Sequence, residues 1–194
     1  MKKLITLLTL LSFTTLLYGQ DYIVNSDERP NVDMSKYKTY SWASHVIDAT
    51  SASFSLNNLV LKNNIKKTVE EEMEGLGYDK STSPDLMVGF VVFDEATEFK
   101  GFADLQEDDF YYDYWYAFDS DEELGNSETY QLEEGSLLIH MVDVKSGEIV
   151  WQGYASGIMD NDVFDFKPNH VAEAVQLIFE EFDYRGDELE NTGR

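Results

Sequence analysis

The sequence predicts an α+β fold: one sheet of about four or more strands with two helices packed on one face. Three observations carry this. Two segments repeat apolar residues at helical spacing, one apolar run is too short for a helix, and two β-rich stretches flank a tight turn. The chain order is then strand, helix, strand, arm, hairpin, helix. With 194 residues, the chain is long enough for one domain with a sizeable core. That domain is placed at residues 34–184, after an arm at 21–33, and contains an acidic aromatic excursion at 100–134.

The first strand is "KYKTYSWA", Lys36 to Ala43, which sets Tyr37, Thr39 and Ser41 on one side and Lys38, Tyr40 and Trp42 on the other. The residues before it, Asp21 to Asp33, are polar with one proline and read as an arm. In the first helix Leu61, Ile65, Val69, Met73 and Leu76 form the apolar stripe. Ser55 or Asn57 can cap its start, and Gly75 and Gly77 stand at its end. Its Lys62, Lys66, Glu70 and Glu74 read as a solvated face. "PDLMVGFVVF", Pro84 to Phe93, is apolar at nearly every position, as befits a central strand covered on both sides. "GSLLIHMVDV" and "EIVWQGYASG" flank "KSG", where Gly147 can close a short hairpin. Trp151 in its second strand is expected in the core. The closing helix follows Pro168, with Asn169 as a cap candidate, and puts Val171, Ala174, Val175, Ile178 and Phe182 on one face. Residues 185–194 read as a disordered tail.

The first twenty residues have two lysines, an apolar run from Leu4 to Leu17, and then Tyr18-Gly19-Gln20. This is the grammar of a secretory signal peptide cleaved near Gly19 or Gln20, and the run falls short of the ~20 apolar residues of a bilayer span. The expected localisation is exported, periplasmic or extracellular. Gln20 stands where a lipid-bearing cysteine would follow such a segment, so neither a lipid anchor nor a membrane span is expected. The chain has no cysteine at all, which excludes disulfides, thiolate metal sites and a cysteine nucleophile. Its 38 acidic against 14 basic side chains give a formal charge of −24. Nucleic acid and anionic membrane surfaces repel such a chain, whereas cationic partners are favoured.

The excursion is the unusual segment. Phe110 to Phe118 hold seven aromatic residues in nine, and between Lys100 and Lys145 there are thirteen acids and no base. Read as an extended chain, Phe110, Tyr112, Tyr114, Tyr116 and Phe118 share a side, opposite Tyr111, Asp113 and Trp115. Two uses follow: an arm folded back over the sheet, which the risk of exposing five aromatics favours, or a docking surface for an envelope protein or glycan through Tyr112, Tyr114, Trp115 and Tyr116.

Chemistry leaves fewer marks. The three histidines, His45, His140 and His170, fall in no HExxH spacing, and there is no G-x-S-x-G elbow or phosphate loop. A hydrolase is therefore only the second alternative, and no enzyme activity or cofactor is expected. Calcium is the first alternative: Asp119, Asp121 and Glu123 alternate in "DSDEELGN", and "DND" adds Asp160 and Asp162, although the EF-hand places for Gly and Glu hold Leu124 and Tyr130. Asp85 and Asp143 read as strand-end residues hydrogen-bonding local backbone.

"VDMSKYKTYSWA", "SPDLMVGF" and "EEGSLLIHMVDVKSGEIVWQGYASG", taken in order, resemble the bacterial envelope family catalogued as domain of unknown function 4136, over roughly residues 32 to 184. The resemblance implies this same element order in a secreted or lipid-anchored envelope protein without an assigned activity. The chain departs from the family at the absent lipid cysteine and at His140, which stands where an acidic residue is common. Together these readings describe a secreted or periplasmic envelope protein acting as a non-catalytic binding or assembly module.

Overall fold

The computed structural model describes residues 22–43, 59–102, 129–160 and 163–187. Its main sheet has six strands: β1 (Ile23–Glu28), β2 (Thr39–Trp42), β3 (Asp79–Lys80), β4 (Leu86–Phe93), β7 (Ser136–Asp143) and β8 (Ile149–Ser156), in the spatial order β1-β8-β7-β4-β2-β3. Between β4 and β7 the chain forms a separate two-stranded sheet from β5 (Thr97–Lys100) and β6 (Thr129–Leu132). After β8 come the short pair β9 (Met159–Asp160) and β10 (Val163–Phe164). The helices are α1 (Leu59–Gly75) and α2 (Pro168–Glu180).

The sheet is mixed. β2 runs parallel to β3 and β4, while β4, β7, β8 and β1 pair antiparallel. Parallel neighbours need a long crossover, and α1 lies within the one from β2 to β4. The helix ends as its glycines imply. Gly77 takes φ +82°, its N–H reaches the Glu74 carbonyl, and the Tyr78 N–H reaches that of Met73. This is the paired closure that needs a left-handed residue after the last turn.

Both helices cover one face. Leu61, Ile65, Val69 and Met73 of α1 and Val171, Ala174, Val175 and Ile178 of α2 are buried against Val88, Phe90, Ile139 and Met141. Trp151 is 1% exposed and stacks edge-on to Phe182 at 4.9 Å. The opposite face has its own smaller core, where Leu132, with the partly buried Tyr130 beside it, covers Val91, Phe93, Leu138 and Tyr154. β4 is thus covered on both sides, as its unbroken apolar run predicts.

Three expectations need correction. The N-terminal arm contains a full edge strand, β1, paired with β8 from Ile23↔Ser156 to Glu28↔Trp151. Its Asn, Ser, Asp and Glu residues are poor strand formers, but an edge strand with one solvated side tolerates them. The start of α2 is not capped by Asn169. Lys167 occupies the cap position without a side-chain bond, and Asp165 Oδ1 instead accepts from the Lys167 N–H at 2.9 Å. The beginning of the tail is held: the Gly186 N–H donates to the Leu76 carbonyl at 2.9 Å, and Arg185 pairs with Asp187. The residues after Asp187, and the cap candidates Ser55 and Asn57, lie outside the described residues.

Candidate functional site

Tyr112, Tyr114, Trp115 and Tyr116, and the metal candidates Asp119, Asp121 and Glu123, also lie outside the described residues. What is described is the base from which that segment departs and to which it returns. Lys100 of β5 pairs with Thr129 of β6, the Phe102 N–H donates to Asp27 of β1, and the Arg29 guanidinium sits 5.1 Å over the Phe102 ring. The excursion therefore leaves the fold beside β1, on the face away from the helices.

The carboxylates in the family-like motifs are engaged inside the fold. Asp85 Oδ2 accepts from the Lys38 and Thr39 N–H groups, both at 3.1 Å, and from the Thr39 hydroxyl at 2.8 Å. Burial alone would raise its pKa, yet these donors outweigh it and hold the carboxyl below its ordinary range. Asp143 accepts from the Tyr37 hydroxyl at 2.8 Å, the Lys36 ammonium at 3.1 Å, and the Lys145 and Ser146 N–H groups at 2.7 and 3.3 Å. The balance is the same: burial pulls up, the donors pull further down. Tyr37 is pushed up to about 12, first by burial. These contacts join the start of β2, the start of β4 and the β7–β8 turn at one end of the sheet, and so form a brace.

His140 and His170 are separated. His140 lies on the face opposite the helices, between Gly89 and Gln152 in register. It is 4% exposed, and burial pushes its imidazole from 6.5 down to about 4, so it is neutral near pH 7. A Cβ on Gly89 would stand 2.2 Å from His140 Nε2, so the ring takes the room that a side chain there would need. His170 pairs through Nδ1 with Asp165, a carboxylate 2% exposed that also faces the Lys167 ammonium at 3.6 Å. Asp160, one of the calcium candidates, pairs with Lys167 at 2.6 Å. Asp162 lies outside the described residues, as does His45. Among the described residues no group of three or more His, Asp or Glu side chains is arranged to hold a metal ion.

One arrangement escapes the sequence reading. Trp42 of β2 donates its indole N–H to Glu70 Oε1 at 2.7 Å, Lys80 pairs with the same oxygen, and the Lys66 ammonium lies 4.9 Å over the Trp42 ring. Lys62 is one turn before Lys66 on α1. Burial lowers Lys66 first and the charge of Lys62 next; Glu70 raises it and Lys80 lowers it, and the balance is downward. Trp42 also meets Phe90 edge-on at 6.1 Å. The helical spacing in the sequence shows only a charged face; the tryptophan beneath it becomes visible once β2 and α1 pack together.

Residues 24–182 match the family model described as a domain of unknown function, DUF4136. A solved DUF4136 family protein from Bacteroides thetaiotaomicron is similar at a TM-score of 0.55 and 18% identity, with 84% of this chain and 97% of that one covered. A PDZ domain protein from Parabacteroides distasonis is similar at a TM-score of 0.50 and 14% identity, over 84% of this chain and 36% of that one. None of the curated proteins matches the chain. Among the described residues no helix is long and apolar enough to cross a membrane.

Proposed function

The chain belongs to the DUF4136 family, and from that premise we propose that it is an exported bacterial envelope protein working as a non-catalytic binding module. Its contact residues are Tyr112, Tyr114, Trp115 and Tyr116, and its partner is an envelope protein or glycan. The observation that carries this reading is the use made of the motif carboxylates. Asp85 and Asp143 spend their acceptor capacity on backbone, hydroxyl and ammonium donors of the chain itself, which suits a scaffold. A general base needs a lone pair directed at substrate.

Two further observations support a module. The fold spans nearly all of one relative and only 36% of a longer one, so the same architecture occurs alone and as part of a larger chain. Tyr130 and Leu132 already cover the apolar patch of Val91, Phe93, Leu138 and Tyr154. Tyr112, Tyr114, Trp115 and Tyr116 follow in the chain between β5 and β6, and aromatic side chains of this kind are common anchors of contact with another molecule.

The test is the variant Tyr112→Ser/Tyr114→Ser/Tyr116→Ser, with thermal melting measured beside capture of partners from a periplasmic fraction and binding to envelope glycans. The expected result is an unchanged melting midpoint with loss of a partner that the native chain retains. A midpoint that falls sharply would mean the aromatics are folded back over the sheet and would overturn the contact assignment.

A further inference from the structure

We propose that the surface built from Trp42, Lys62, Lys66 and Lys80 is the docking site for the acidic aromatic segment, residues 103–128, of a second copy of this chain. This rests on the binding-module reading and names a partner for it. The surface sets the Lys66 ammonium over a half-buried indole and Lys80 against the carboxylate that indole bonds, Glu70, with Lys62 one turn before Lys66 on α1. Glu71 and Glu72 follow Glu70 on other sides of α1, with Glu71 paired to Lys67; on the side of Glu70 the next carboxylate is Glu74, one turn away. Concentrated positive charge is out of character in a chain of net charge −24. The Lys66 ammonium bears a cost, since Lys62 and Lys80 both repel it and Glu70 offsets this only in part, and an incoming carboxylate relieves it.

Residues 103–128 supply the complement, with ten acids, no base, and seven aromatic residues between Phe110 and Phe118. Carboxylates would pair with the lysines while an aromatic ring packs on Trp42 and under the Lys66 ammonium. Position favours a second copy over the same chain. The segment departs beside β1, whereas the lysine surface adjoins β2 at the other side of the sheet. Three strands intervene, a span of about 19 Å at the usual strand spacing. The two places also lie on opposite faces, because Trp42 packs with the helix-side core and the β5–β6 pair with the other. Contact within one chain must carry both limbs of the segment across the sheet and around its edge, while a second copy needs no such path. A contact between two different patches is heterologous, so it propagates into a ring or a row of copies.

Salt distinguishes this contact from plain hydrophobic association. Two chains of charge −24 repel at long range, and that repulsion is screened beyond about 8 Å at physiological ionic strength. Close pairs survive there and weaken in molar salt, so association is expected to be strongest at intermediate salt.

The experiment is sedimentation velocity on the full mature chain over a wide concentration range at low, physiological and molar salt. Two variants accompany it. One removes the surface (Lys62→Glu/Lys66→Glu/Lys80→Glu, with the Lys→Gln triple as a milder control), and the other neutralises the segment (Asp108→Asn/Asp109→Asn/Asp113→Asn/Asp119→Asn/Asp121→Asn). The native chain should form species that grow with concentration. Each variant alone should remain monomeric, and an equimolar mixture should give a dimer that grows no further, because only one complementary contact remains. A native chain that stays monomeric at every salt concentration would overturn the proposal, as would a Lys→Gln triple that associates like the native chain. Either failure leaves the capture experiment free to succeed, so the two readings can fail separately.

Discussion

The two faces of the central sheet differ sharply in the buried residues described on each. Among the described residues, the helix-covered side gathers 26 buried residues into one cluster, and the other side gathers five. The large cluster is built from two helices, five strands and the aromatic contacts of Trp151, Phe179 and Phe182. The small one depends on the β5–β6 pair, whose two strands are joined to each other through a long stretch that includes the carboxylate-rich residues 103–128. The lesson is a division of labour: the helix side supplies cooperative stability, and the other side carries the base of the acidic aromatic insertion at a lower stake for the fold.

The largest expected effect tests the first half of that comparison. Trp151 is 1% exposed and meets both Phe179 and Phe182, so Trp151→Ala should cost about 3–5 kcal/mol. Urea unfolding at neutral pH measures it. An unchanged midpoint would mean that the helix side does not dominate the folding energy.

A medium effect belongs to the other face. Gly89→Ala places a methyl carbon where His140 Nε2 now sits, at 2.2 Å, and overpacking of this kind costs about 1–3 kcal/mol. The second substitution His140→Ala should restore part of that loss, because it vacates the space the methyl group needs. A double-mutant cycle therefore gives a coupling of favourable sign. If the two losses simply add, the close approach of these strands is not what requires glycine at position 89.

The sequence made the helix side legible and much of the other side illegible, for physical reasons. Leu61, Ile65, Val69 and Met73 recur at the helical period because one face of α1 is buried and the other is wet, and α2 repeats the pattern. β7 and β8 are long, apolar and joined by a turn glycine. β1 lacks such a signature because its residues answer to solvent on one side. β5 and β6 are four residues each, too short for alternation to stand out. Asp85 was legible as a backbone-bonding residue, but the expectation of local partners was wrong: Lys38 and Thr39 are more than forty positions away, a pairing fixed only by sheet register. The same holds for Trp42 and Lys66: neither residue shows in the sequence that it will meet the other.

The smallest effect is a pH dependence, and it too separates the faces. Burial holds His140 at about 4 against its ordinary 6.5, so the unfolded chain binds a proton at this position more readily than the folded one. Stability from keeping the ring neutral is therefore fully present above about pH 6.5 and declines as the pH falls toward 4. The direction is that of any group whose folded value is depressed: the unfolded state takes up the proton first, and uptake pulls the equilibrium toward it. Asp85 and Asp143, also depressed, add their own losses only lower, as the pH falls below the ordinary carboxylate range. Urea midpoints between pH 7 and 4.5 should thus decline in the native chain, and decline less steeply in His140→Gln, which keeps a polar side chain of similar reach but cannot titrate. Equal slopes in the two proteins would mean that the imidazole is hydrated or compensated on that face, and the small core would then be more open to water than its burial implies.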